Sequence, residues 1–323
     1  MAKFNQSGAF ANRSNLASEI GAQGMTFMIK QWGAARARIA SAAALAIALL
    51  AAPPTRAWDD SGRHYLALGD SVAFGYNPLL DFRDENNFIG YPARVTDALD
   101  DRVANVSCPG ETSSHFIALT GVDRGCGAYR KAFPLHHLYT TSQLDFADTF
   151  LQTHPETHVV SLDIGANDLF LLEDFCGGAA NARCILAGLP ALQALVSSNL
   201  DVIYGHIRNQ DGYRHKLVAL TYYSLNYADP TTSYVTSQLN AVVAARTQAW
   251  GGVVADGFAA FANASALYNG DTCAAGLRIV TSVSPLKCDI HPTQLGRRIL
   301  ARAILEALRE GGRSGAAVSA LEN

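Results

Sequence analysis

Short apolar runs and longer amphipathic segments take turns along this chain. Tyr65 to Leu68, Arg102 to Val106, His158 to Ile164, Lys216 to Tyr222 and Gly252 to Ala255 are the runs, and each is bounded by turn-forming or polar residues, the signature of buried strands. His158 to Ile164 is nearly all apolar and reads as covered on both faces. Between the runs the spacing changes to that of helices. Tyr91-Pro92 opens one that reaches about Leu99, and Thr141 or Ser142 caps another over Gln143 to Gln152, with Leu144, Phe146, Ala147, Phe150 and Leu151 on one face. Pro190 to Ile207 repeats Leu192, Leu195, Val196, Leu200, Ile203 and Ile207 at helical intervals. Asp229-Pro230 is a helix start, a carboxylate able to cap free N–H groups followed by a proline in the first turn, and that helix continues to Trp250. The last helix is expected from about Pro292 to Arg309. The pattern assigns no regular structure to Gly110 to Tyr139, to the Gly- and Cys-bearing insertion Glu173 to Gly188, or to the loop holding Cys273 and Cys288, and it leaves a loose tail from Gly311. Strands alternating with helices predict an α/β fold: a five-stranded parallel sheet in a three-layer α/β/α sandwich.

The first strand runs into His64 to Gly75, HYLALGDSVAFG, where an apolar run stops at Gly69-Asp70-Ser71 and turns amphipathic. A buried strand so built delivers a serine to the end of a sheet just before a helix. A serine hydroxyl becomes a nucleophile only beside a base, and its reaction needs donors for the oxyanion that forms. Gly110 follows the second strand, Asn167 stands in Gly165-Ala166-Asn167-Asp168 after the third, and His291 stands in Asp289-Ile290-His291-Pro292 before the last helix. One edge of one parallel sheet can collect all four.

Those four blocks, in that order over roughly residues 64 to 310, resemble the SGNH (GDSL) hydrolases, of the secreted bacterial lipase and esterase type. The resemblance implies a flavodoxin-like strand order 2-1-3-4-5 and hydrolysis of carboxylic esters through an acyl-enzyme, without a cofactor. Ser71 is then the nucleophile and His291 the base. The N–H groups of Ser71 and Gly110 and the side-chain amide of Asn167 form the oxyanion hole. Family members usually carry an aspartate three residues before the histidine, but position 288 here is Cys and Asp289 stands two before. Either Asp289 or a main-chain carbonyl is therefore left to orient the ring. Asp70 and Asp168 are expected to brace their own loops through nearby backbone N–H groups.

Other chemistries fit less well. Ala73 breaks the Gly-x-Ser-x-Gly elbow of the α/β-hydrolases, and the turn has no Gly-Lys-Ser/Thr phosphate loop. His154-Pro155-Glu156-Thr157-His158 is not a zinc helix, because Pro155 and the strand that follows spoil the shared face. No metal site is expected.

The chain has 323 residues, 49% of them hydrophobic, ample for one large domain (58–310). Residues 1–57 read separately. Lys30, Arg36 and Arg38 precede the apolar stretch Ile39 to Ala52, and Pro53-Pro54-Thr55-Arg56-Ala57 follows, the order of a secretory signal cleaved near Ala57. That stretch is short for a membrane anchor, and Met25 and Met28 are alternative starts. Residues 1–57 hold six of the 25 Lys+Arg and one of the 28 Asp+Glu, which leaves 19 basic against 27 acidic residues. Such a balance offers no footprint for nucleic acid. All six cysteines follow the signal, in an oxidising setting, and fall into neighbouring pairs: Cys108 with Cys126, Cys176 with Cys184, and Cys273 with Cys288.

Substrate is the least determined feature. Phe74, Tyr76, Phe82, Phe88, Phe116 and Phe133 flank the first two blocks and suggest an apolar acyl pocket, although ordinary loop packing accounts for half of them equally well. The expected partner is an acyl ester, a lipid or small ester. An acetylated glycan, an acyltransferase reaction and a non-catalytic extracellular binding module are the alternatives.

Overall fold

In the computed structural model, residues 63–321 are described. The segment 1–57, read above as an N-terminal extension and secretion signal, lies outside them. Five strands, β1 (His64–Gly69), β2 (Arg102–Asn105), β3 (Thr157–Asp163), β4 (Lys216–Leu220) and β5 (Val253–Ala255), form one parallel sheet in the order β2-β1-β3-β4-β5. This is the order implied by the family resemblance. β1 sits between β2 and β3 and is buried at all its positions. That is why its sequence carries no alternation of apolar and polar residues.

The helices are α1 (Ser71–Phe74), α2 (Tyr91–Leu99), α3 (Ser113–Ile117), α4 (Cys126–Ala132), α5 (Gln143–Thr153), α6 (Ala166–Phe175), α7 (Ala182–Gly205), α8 (Pro230–Ala249), α9 (Gly257–Ser265) and α10 (Gln294–Leu321). Helices α2 and α9 both pack on α10, while α3, α5, α6, α7 and α8 pack on one another in a second layer. Local chemistry sets several starts. Ser142 and Asp145 form a reciprocal capping box on α5. Asp229 accepts the N–H groups of Thr231 and Thr232 at the head of α8, with Pro230 in the first turn.

The structure corrects the sequence reading in four places. α7 begins at Ala182 rather than Pro190. The Asn181 carboxamide caps it by accepting the Cys184 N–H at 3.3 Å, and a disulfide ties that first turn to Cys176. Pro190 and Leu186 both lie on the exposed side of α7, so the carbonyl that Pro190 leaves unpaired faces water. The stretch read as irregular after Gly110 contains α3 and α4. The Cys273 to Cys288 loop holds an antiparallel hairpin, β6 (Arg278–Val283) with β7 (Leu286–Pro292), which takes Pro292 as a strand end and delays α10 to Gln294. Finally, the last helix does not end near Arg309 but runs to Leu321. α10 continues past Gly311, and a Cβ at that position would lie 2.5 Å from Val253 Cγ1. Gly311 is there to let α10 approach β5, not to end the helix.

The cysteines are joined as the three local pairs expected. Two of these bonds abut the site built below: Cys108 lies two residues before Gly110, and Cys288 immediately precedes Asp289.

Candidate active site

The turn that carries Ser71 is assembled at the carboxyl end of β1. The Asp70 carboxylate caps α1 by accepting the Val72 N–H at 2.9 Å, and Gly75, in the left-handed region at φ 82°, ends the helix after one turn. Ser71 therefore stands first in a helix, where a backbone N–H has no partner within the helix. The neighbouring strands hold this turn from both sides. Asp70 N–H donates to the Asp163 carbonyl of β3 at 3.2 Å, and Cys108 N–H, past the end of β2, donates to the Gly69 carbonyl at 3.1 Å. The Gln143 side chain closes on Gly69 as well, accepting its N–H at 3.0 Å and donating to its carbonyl at 2.8 Å.

Those backbone bonds bring the other blocks to Ser71. Gly110 lies two residues beyond Cys108, at φ 85°, and a Cβ there would stand 2.7 Å from the Arg124 carbonyl oxygen, so a side chain is excluded both by conformation and by space. Asn167 lies in the first turn of α6. Its side-chain amide donates to the Glu111 carbonyl at 2.9 Å and, more weakly, to Asp70 Oδ2 at 3.4 Å. The first bond fixes the amide plane, and the second N–H has only the longer contact.

His291 arrives on β7. Its Nε2 lies 2.8 Å from Ser71 Oγ across 220 positions of sequence, and its Nδ1 donates to the Asp289 carboxylate. His291 is buried, and the Asp289 side chain is largely covered. An ionised carboxylate only accepts, which assigns the proton to Nδ1 and leaves Nε2 to accept from the serine. Burial by itself would raise the Asp289 carboxyl. The hydrogen bonds and charge of His291 outweigh it and hold the group below the usual carboxylate range. The loop is braced around these two: Tyr223 O–H donates to the Ile290 carbonyl at 2.7 Å, and the Tyr76 ring lies 4.7 Å from the imidazole. Arg297, buried in α10, holds the Tyr76 carbonyl at 3.0 Å and the Ile89 carbonyl at 3.0 Å, and burial depresses its guanidinium to about 10. Ser71, Gly110, Asn167, His291 and Asp289 thus gather at one end of the sheet, with hydroxyl, imidazole and carboxylate in series.

Residues 67–299 match the GDSL-like lipase/acylhydrolase family. The chain belongs to that family. It is therefore an ester hydrolase in the broad sense. No curated protein matches it. Among solved structures, an extracellular lipase from Streptomyces rimosus is similar at 20% identity and a TM-score of 0.51, with 76% of this chain and 100% of that one covered. Phospholipase A1 from Streptomyces albidoflavus NA297 gives 20% identity, a TM-score of 0.50 and coverage of 76% and 100%. An acetylxylan esterase from Geobacillus stearothermophilus gives 18% identity, a TM-score of 0.46 and coverage of 77% and 94%. At such identities the likeness to the two Streptomyces structures speaks for the shared fold alone.

Within this GDSL-like frame, a cleft of about 790 Å³, counted with its open mouth, begins at Ser71, Asn167 and His291. It runs between α6, the head of α7 and α8, lined by Leu169, Phe170, Ile185, Leu225, Val235 and Leu239. The aromatic residues expected from the sequence to form the pocket do not line it. Phe74 and Phe88 are buried in a second cluster with Tyr76, Phe82 and Tyr129, Phe133 packs on that cluster through Phe82 and Tyr129, and Phe116 belongs to the main core. Aromatic rings at that density satisfy one another, so the cluster is packing, and the cleft is lined by other residues around the Ser71 turn.

The carboxylates expected to brace local loops reach further than that. Asp168 accepts both the N–H (2.9 Å) and the hydroxyl (2.6 Å) of Ser113, tying α6 to α3, and burial raises it to about 6. Asp70 receives the Tyr222 hydroxyl at 2.6 Å in addition to its cap. Asp163, Gln143, Tyr222 and Tyr223 were not singled out from the sequence. Of these, Asp163 left a signal: a carboxylate closing an otherwise apolar run, directly before the Asn167 block. Among the described residues, one group of potential metal ligands, Cys108, Glu111 and Cys126, comes together, and its two sulfurs are already spent in a disulfide.

Proposed function

We propose that the chain is a secreted carboxylic ester hydrolase that works through an acyl-enzyme on Ser71. The observation that carries this reading is the 2.8 Å contact between His291 Nε2 and Ser71 Oγ, with the Asp289 carboxylate on the opposite ring nitrogen. As Ser71 Oγ attacks the ester carbonyl, its proton passes to His291 Nε2, and Asp289 stabilises the imidazolium. The carbonyl oxygen becomes an oxyanion held by the N–H groups of Ser71 and Gly110 and by the second N–H of Asn167. His291 returns the proton to the leaving alcohol. A water molecule then repeats the sequence against the acyl-serine, with His291 as base once more, and frees the acid and Ser71.

The apolar cleft starting at Ser71 takes the acyl chain. Its walls, Leu169, Phe170, Ile185, Leu225, Val235 and Leu239, are apolar, as an acyl chain requires. Secretion is supported by three disulfides with no free cysteine among the described residues and by the basic, apolar and small-residue order of residues 30–57.

The test is hydrolysis of a p-nitrophenyl ester series from acetate to palmitate by the mature protein and by Ser71→Ala. Activity that vanishes in the variant and peaks above acetate is expected. A folded wild type inactive on every ester would overturn the reading, and a peak at acetate would overturn the acyl-chain assignment. Sequencing the exported protein should find Trp58 at its N-terminus.

A further inference from the structure

Directly under the nucleophile turn lie two aspartates that the chemistry above does not use together. Asp70 and Asp163 are both fully buried, and their carboxyl groups converge on successive N–H groups of α1, Asp70 on Val72 at 2.9 Å and Asp163 on Ala73 at 3.3 Å. Two carboxyl groups brought together in this way can bond to each other only if one keeps a hydrogen, because two carboxylates are acceptors only.

We propose that Asp163 is a positioning residue for the nucleophile turn: it keeps a proton, donates it to Asp70, and so leaves one negative charge, on Asp70, next to Ser71, Asn167 and His291. The catalytic consequence rests on Ser71 being the nucleophile; the shared proton does not.

The donors decide which carboxyl holds the charge. Asp70 receives the Val72 N–H at 2.9 Å, the Tyr222 hydroxyl at 2.6 Å and the Asn167 amide at 3.4 Å. Asp163 receives the Tyr91 hydroxyl at 2.7 Å and the Ala73 N–H at 3.3 Å. The better-supplied carboxyl is the better-solvated anion. The titration directions agree: burial raises both groups, and Asp163 is pushed up well beyond the usual range by burial and by the charge of Asp70. The titratable groups facing the pair are Tyr65 from β1, Tyr91 from α2, Tyr222 and Tyr223 after β4, Asp168 from α6 and His291 from β7. Of these, the Tyr222 hydroxyl and then the charge of His291 draw Asp70 toward ionisation, and the Tyr91 hydroxyl draws Asp163 the same way against the larger effects of burial and of the Asp70 charge.

The geometry shows what the arrangement holds. Asp163 grips the turn on both sides of Ser71, its carbonyl accepting the Asp70 N–H and its carboxyl accepting the Ala73 N–H. It presses so closely on Gly69 that a Cβ there would lie 2.4 Å from Asp163 Oδ1, and Gly69 stands at φ 142°. This contact is the physical reason for the glycine of Gly-Asp-Ser in this chain. The retained charge on Asp70 steadies the Asn167 amide and favours the imidazolium formed at His291 during attack. A second charge at Asp163 would set two anions against each other under the serine and drive the turn apart.

Infrared difference spectroscopy at pH 8, where Asp168 is ionised, reads the proton directly, as the carbonyl stretch of a carboxylic acid that shifts in heavy water. The band is expected in the wild type and in Ser71→Ala, and its loss in Asp163→Asn. Kinetics read the positioning. Asp163→Asn still offers an N–H to Asp70 and is expected to keep kcat within about tenfold, while Asp163→Leu, with no donor, loses about 10²-fold in kcat with KM nearly unchanged, the scale of a misplaced reacting group. Absence of the band in the wild type, its survival in Asp163→Asn, or an Asn variant as impaired as the Leu variant would overturn the proposal. Should Asp163→Leu not fold, the band and the Asn variant decide. A wild type inactive on esters that still shows the band would strike at the esterase reading and leave the shared proton standing.

Discussion

The Asp289 carboxylate accepts the imidazole Nδ1–H of His291 and, at 2.9 Å, the backbone N–H of the same residue. With two residues of separation instead of three, the aspartate reaches the ring by curling back along its own strand, and the backbone bond fixes it there. The Cys273 to Cys288 disulfide anchors the preceding residue, and Arg278 reaches the Asp289 carbonyl at 3.4 Å.

Asp289→Asn tests whether that carboxylate does the orienting. An amide of the same shape can present an N–H to Nδ1 and trap the wrong tautomer, which costs about 10⁴-fold in a serine protease triad. We expect kcat to fall by about 10³- to 10⁴-fold with far-ultraviolet circular dichroism unchanged. A fall of only a few-fold would assign the orienting role to a main-chain carbonyl instead.

Asn167 makes a second, independent test. Its amide is held by the Glu111 carbonyl, leaving one N–H for the oxyanion. Removing a donor of this kind typically costs about 10²- to 10³-fold in kcat, and the lost hydrogen bond about 1 kcal/mol of stability. Asn167→Ala should therefore show a large kcat defect, little change in KM and a small drop in urea midpoint. Near-normal kcat would remove Asn167 from the oxyanion hole.

What the sequence disclosed follows from where the information lies. β1 and β3 could be read because buried parallel strands are continuous apolar runs, and the four blocks because each ends a strand or opens a helix. The hairpin β6 and β7 could not, since its positions are mostly half-exposed or exposed and carry no clean alternation. Nor could the direction of the Asp289 side chain, which depends on the path of β7. The apolar cleft beside Ser71 does not use the aromatic residues expected to line it, because residues near a motif in sequence say nothing about which face of the turn they pack on. Asp70 and Asp163 lie far apart in sequence and meet only when β1 and β3 pair.

The relocated cleft has a consequence for specificity. Val235 of α8 lines it and is buried, so a larger side chain there projects into the space assigned to the acyl chain. Removing room for one methylene shifts selectivity by about 1–3 kcal/mol, or roughly 10- to 200-fold. Val235→Phe should lose kcat/KM on palmitate and decanoate esters by at least about tenfold while acetate changes little. An equal loss on all chain lengths would mean that acyl chains bind elsewhere.

Asp168 supplies a pH signature free of catalysis. Its carboxyl titrates near about 6 in the folded protein, with burial the largest cause, against an ordinary value of 3.8. Between these two values the folded state binds the proton that the unfolded state has released, so this group makes stability fall as pH rises through that window. Below pH 4 both states are protonated and the contribution is fully present; above pH 6 it is gone, a swing of about 3 kcal/mol at 1.36 kcal/mol per unit. Asp168→Asn imitates the protonated group at every pH. Compared by urea unfolding, the variant should gain on the wild type between pH 4 and pH 7 by up to about 3 kcal/mol, whatever its offset at pH 4 from the altered bonds to Ser113. Because the other carboxyls are common to both proteins, their titrations cancel in the difference, and a gap that does not change with pH would mean that Asp168 stays ionised against Ser113.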